Sequence, residues 1–64
     1  MVPEIDIWRA ANLLLKQHGP DAEIVATQRA DEMLDRGELE GQRVWLRIRR
    51  AVAVWQAEPS GPVH

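Results

Sequence analysis

The stretch RVWLRIRRAVAVW, Arg43–Trp55, holds four arginines and two of the chain's three tryptophans. In a line it alternates basic and aromatic residues, as a nucleic-acid surface would. At ~100° per residue it separates into faces instead. Gly41, Val44, Trp45, Ile48, Ala51, Val52 and Trp55 make one continuous apolar side. Trp45 and Trp55 differ by ~80° around the axis, so both are expected to point inward, where they are unavailable to stack on bases. Arg43, Arg47 and Arg50 form a stripe roughly opposite, and Arg49 lies apart from it. A thinner apolar line, Leu39, Leu46, Ala53 and Ala57, runs beside the arginines. The segment therefore predicts a helix over about 39–57, apolar on two lines and either central to the fold or in contact with a second chain.

Working outward, "HGPD" at 18–21 and "DRGELEG" at 35–41 punctuate the chain. Glycine suits the position just past a helix and proline the first position of the next, so Gly19 and Pro20 read as stop and start, and Gly37 as a second stop. Two further helices follow, over about 5–17 and 20–36. The first carries Ile7, Trp8, Ala10, Ala11, Leu14 and Leu15 on one side and Arg9, Asn12 and Lys16 on the other. Leu13 and Ile5 lie outside that apolar side and are expected at the surface. The second buries Ala22, Ala26, Ala30, Met33 and Leu34, while Asp31, Glu32 and Asp35 face water. Its alanines, four apart, allow neighbouring backbones to come close.

Short links favour antiparallel neighbours, which gives an all-α chain folded as a small three-helix bundle. The runner-up is a helical hairpin with a loosely docked first helix. The expected core is Trp8, Ala11, Leu14, Leu15, Ala22, Ala26, Ala30, Met33, Leu34, Val44, Trp45, Ile48, Val52 and Trp55, with Trp8 meeting Trp45 or Trp55. Residues 1–57 form one domain, and "EPSGPVH", with two prolines and a glycine, is expected to be a flexible tail over 58–64.

With 64 residues the chain is sized for a single domain that hides only ~60% of its unfolded surface. It has no cysteine, so neither a disulfide nor a Cys-based zinc site can supplement the core. Close helix packing or self-association is left to do so. Apolar residues make up 45% and charged residues 28%, which points to a globular domain rather than a disordered one. No apolar run approaches the ~20 residues of a membrane span, and the N-terminus lacks a basic start before a long apolar run. A cytoplasmic location is the resulting expectation. The net charge of −2 argues against a general nucleic-acid binder, since phosphate attraction favours a positive excess.

The segments WRAANLLLKQHG, ATQRADEMLDRG and GQRVWLRIRRAV resemble a family of short, uncharacterised bacterial proteins, mostly alphaproteobacterial. The likeness runs nearly the whole chain to Ala57, through His18-Gly19, Arg29-Ala30-Asp31, Gly37, Gly41, Val44-Trp45 and Ile48. An aspartate commonly follows the glycine that here is Gly37, whereas this chain has Glu38. Glutamate is the weaker N-cap, which puts the start of the third helix in doubt. The resemblance implies a small helical fold and brings no activity with it.

Catalysis finds little support. Ser60 sits in the expected tail and Thr27 on the second helix, so no nucleophile stands beside a general base. Asp31 and Asp35 are one turn apart, which on an exposed face is an ordinary acidic surface. A bundle of this size also has little room for a pocket of several hundred Å³. No metal or cofactor is expected: His18 lies near Asp21 and Glu23, but His64 is terminal and no helical face supplies three ligands. His18 is expected to serve the carbonyl end of the first helix. Arg29 is expected to reach a carboxylate while its stem covers the alanine line, and Glu32 and Arg36 are ordered for a one-turn ion pair.

The candidate partner or anion-binding face is Arg43, Arg47 and Arg50. Only Glu40 offers a carboxylate on that side of the third helix. The acidic residues of the second helix would answer the stripe internally or across a dimer; otherwise a protein partner or nucleic acid would. A helix-turn-helix reading fails at the start of the third helix, where Leu39, Glu40, Gly41 and Gln42 present too little to bases and a carboxylate to phosphate. Membrane-surface binding is disfavoured because the tryptophans belong to the core face. The leading expectation is a non-catalytic helical protein–protein interaction module, with homodimerisation as one form of that interaction. A nucleic-acid-binding accessory protein using the basic face is the alternative.

Overall fold

The structure, a computed structural model, describes residues 2–57; the expected tail at 58–64, His64 included, lies outside them. Three α-helices make up the described chain: α1 (Glu4–His18), α2 (Ala22–Asp35) and α3 (Leu39–Ala57). The fold is all-α. A single 3-10 turn, Gly19–Asp21, joins α1 to α2 with no coil between, so these two form one long bent path on which α3 packs. The bounds differ from the sequence reading by a residue or two; at the second helix this is because Pro20 and Asp21, expected to open it, tighten with the Gly19 stop into that 3-10 turn.

The two helix stops use glycine in different ways. At Gly37, φ is 74°, and the Glu38 N–H donates to the Met33 carbonyl at 2.8 Å while the Gly37 N–H donates to that of Leu34 at 3.0 Å. That pair of bonds is the Schellman closure of α2. Gly19 has φ 57° and ψ −126°, a mirror-type turn conformation that side chains resist more than the simple left-handed one. Helix α3 begins at Leu39 as expected, with the Gln42 N–H donating to the Glu38 carbonyl at 3.0 Å, despite the weak capping side chain.

Helices α2 and α3 are the most extensively paired, and they run antiparallel: Met33 touches the position of Gly41 beside the turn, and Glu23 pairs with Arg49 farther from it. Ala22, Ala26 and Ala30 are sealed along this seam. A methyl group built on Gly41 would lie 3.0 Å from the Met33 sulfur, so a side chain there would require Met33 to give by a few tenths of an ångström. Helix α1 docks on α3 more than on α2 and buries Ile7, Ala11 and Leu14 among Ala22, Ala26, Ile48, Ala51 and Val52. It is thus an integral part of the core, not the loosely docked helix of the runner-up reading.

Two expected core residues are corrected. Leu34 is 49% exposed and Trp55 is 49% exposed. Leu34 projects from the flank of α2 away from α1, where no element covers it. Helix α2 begins level with Val52, so the last turn of α3 outruns the hairpin and leaves half of Trp55 open. Trp8, Leu15, Met33, Val44 and Trp45 are half-buried at the margin, while Ala11, Leu14, Ala22, Ala26, Ala30, Ile48 and Val52 are buried. Trp8 does meet Trp55, edge to face, with ring centroids 6.0 Å apart and planes at 84°. Such a pair adds ~0.5–1.5 kcal/mol beyond its burial. Leu13 and Ile5 are exposed, as expected.

Two outcomes follow for stability. Asparagine tolerates the left-handed region, so Gly37→Asn is expected to cost under about 1 kcal/mol and Gly19→Asn about 1–3 kcal/mol, read as a clearly larger drop in the thermal midpoint. Ala26→Leu is expected to destabilise by about 1–3 kcal/mol through overpacking of the α2–α3 seam, measured by urea unfolding.

Candidate functional site

The arginines of α3 do not act as one stripe. Arg47, half-buried, donates from Nη1 to the Val2 carbonyl at 3.0 Å and from Nη2 to Glu4 Oε1 at 3.0 Å. It is a brace for the first turn of α1, and the acid that answers it comes from α1 rather than from α2. The contact spans 43 residues of sequence, so no local spacing announces it. Arg49, which the helical projection set apart, is the arginine that meets the second helix, through Glu23 at 3.6 Å.

Arg43 and Arg50 are exposed and have no ion pair among the described residues, nor do Asp31 and Asp35. The candidate face therefore loses Arg47 and keeps Arg43 and Arg50. Arg29 reaches a carboxylate as expected, Glu32 at 3.3 Å one turn on, which replaces the anticipated pairing of Glu32 with Arg36. The Gly19 carbonyl at the α1–α2 bend is taken by Gln56 Nε2 at 3.2 Å, while His18, exposed, closes α1 without a hydrogen bond to it.

The exposed apolar residues have a pattern of their own. Leu34 on α2 and Leu39 and Leu46 on α3 are exposed and Ala53 is half-buried; at 100° per residue Leu39, Leu46 and Ala53 fall within ~40° of one another on α3, and Leu39 also lines a cleft with Val2, Arg43 and Arg47. Leu46 and Ala53 line an open groove of about 410 Å³ with Glu23, Arg49 and Arg50. The surface carries other depressions of similar size, among them one of about 370 Å³ between Trp8, Arg47, Arg50 and Val54. Small bundles thus do form concavities of several hundred Å³, against the expectation from size, but these are open clefts between helices. Among the described residues no three His, Asp or Glu side chains converge as a metal site would require, and no helix is long and apolar enough to cross a membrane. Half of Trp55 is reachable by solvent, which corrects the expectation that both tryptophans of α3 are withdrawn.

The second apolar line of α3 was legible in the sequence. Its continuation onto α2 through Leu34 was not, because the helical period of α2 places Leu34 beside the buried alanines and only the position of α1 decides which flank is covered. No family model, curated protein or solved structure matches the chain. The family likeness accordingly rests on the segments quoted above.

Because Arg47 is bonded and Arg50 is not, the two separate in a simple test. Arg47→Gln is expected to cost about 1 kcal/mol and to speed hydrogen exchange in the first turn of α1; Arg50→Gln is expected to stay within about 0.5 kcal/mol of the parent and leave exchange unchanged.

Proposed function

We propose that the chain is a non-catalytic helical interaction module of the cytoplasm whose working surface is the face of the α2–α3 hairpin opposite α1. One observation carries this reading: three leucines, Leu34 of the hairpin's first helix and Leu39 and Leu46 on one line of its second, stand exposed on a domain too small to leave apolar surface bare freely. Exposed single leucines are ordinary; an aligned set flanked by charge is the composition of a helix-packing interface. Such a surface buries its leucines against another helix and sets register with the charges on its rim.

The nucleic-acid alternative rests on a smaller base than the linear sequence offers. Arg47 is committed to Glu4 and Val2, Arg49 to Glu23, and of the arginines of α3 Arg43 and Arg50 remain to meet phosphate. Two exposed cations on a chain of net charge −2 supply a weak electrostatic footprint.

A photo-crosslinking residue placed at Leu46 is expected to give discrete protein adducts in the cells that make the chain, and one at Asn12, on the polar side of α1, to give none. Absence of any adduct at Leu46 would sink the interaction reading.

A further inference from the structure

We infer that the occupant of this face is a second copy of the same chain, docked about a two-fold axis parallel to α2 and α3; the inference rests on the interaction reading above and names its partner. The argument is one of charge and level. At 100° per residue Arg43 and Arg50 lie within ~20° of each other on the outer edge of α3, and Ile24, Asp31 and Asp35 within ~40° on the outer edge of α2. One edge is basic and the other acidic, and these charges lack ion pairs among the described residues. They cannot meet within the chain, because the width of the hairpin separates them.

A rotation about an axis along the helices exchanges the edges and preserves height. It lays the α2 edge of each copy on the α3 edge of the other, antiparallel, since α2 and α3 are antiparallel in one chain. Heights follow from the contacts of the hairpin itself, where Met33 abuts Gly41 and Glu23 reaches Arg49. On that scale Asp31 is level with Arg43, Ile24 with Arg50 and Leu34 with Leu39. The symmetric copy therefore brings each Asp31 over the other's Arg43, and each Ile24 under the aliphatic stem of the other's Arg50. The leucines fall between these rims, and α1 stays on the outside, so the assembly is a four-helix core with an α1 on each flank.

The area suits a dimer of modest affinity. Helices α3 and α2 are ~28 and ~21 Å long at ~1.5 Å per residue, and at ~10 Å of width each they give ~500 Å² a side, below the ~800 Å² per partner of a standard interface. A nucleic acid would use the arginines and be repelled by the acidic edge, whereas a second copy of the chain presents a basic edge to the acidic one and an acidic edge to the basic one at matching heights.

The test is sedimentation equilibrium of the full chain. The expected mass is twice the 7.3 kDa of one chain, with association weakened by high salt. Leu46→Glu is expected to give a monomer of unchanged helical circular dichroism, because position 46 is exposed in the single chain. Arg43→Asp and Asp31→Arg are each expected to weaken the dimer about tenfold or more, while an equimolar mixture of the two variants recovers it, since both cross-pairs are then of opposite sign. A strict monomer at the highest soluble concentration, or a dimer indifferent to both reversals, overturns the inference. If the chain is monomeric and the crosslinker at Leu46 captures a different protein, the interaction reading stands and only the identity of the partner fails; if it captures nothing, both fail.

Discussion

The fold depends on how closely α2 approaches α3. Ala22, Ala26 and Ala30 give α2 a face with almost no relief, and Gly41 gives α3 a matching hollow for Met33. Two helices that meet through such small residues exclude water along their length with little side-chain entropy lost, because alanine and glycine have none to lose. The large side chains that complete the core, Ile7, Leu14, Ile48 and Val52, enter from α1 and from the inner face of α3. Everything else is arranged around that seam: α1 has one side of the hairpin to lie on, and the other side is left bare.

This division explains why charge and apolar surface are distributed as they are. On the covered side the arginine of α3 is used for construction, with Arg47 tying the start of α1 to the hairpin through Glu4 and the Val2 carbonyl. Hydrogen bonds to a backbone carbonyl and a carboxylate from one guanidinium fix a helix end that lacks a side-chain cap of its own. Arg43 and Arg50, exposed on the outer edge of the same helix, have no ion pair among the described residues. The same residue type on one helix thus serves structure or surface according to which flank it faces.

Local signals carried the helices well and the contacts between distant segments poorly. The period of α3, the alanine spacing of α2 and the two glycine stops place all three elements, because each depends on neighbours within a turn or two. The ion pairs did not follow from spacing. Glu23 with Arg49 and Glu4 with Arg47 join separate helices, and helical projection alone gave no reason to favour them over Asp31, Glu32 and Asp35. Leu34 and Trp55 were misplaced for a related reason: periodicity says which residues share a face, but where that face ends depends on how far the neighbouring helix extends.

The sequence by itself determined that the chain is helical, where its helices stop, and that Val44, Ile48 and Val52 oppose Arg43 and Arg50 on the third of them. These are properties of a 3.6-residue repeat and of glycine's access to positive φ, and they need no partner segment to be decided. Only the tertiary structure decided that Arg47 belongs to the fold rather than the surface, that half of Trp55 stays in water, and that Leu34 stands exposed beside the buried alanines. Those outcomes depend on where α1 comes to rest on the α2–α3 hairpin, a choice made by burial of area across the whole chain and recorded in no local pattern.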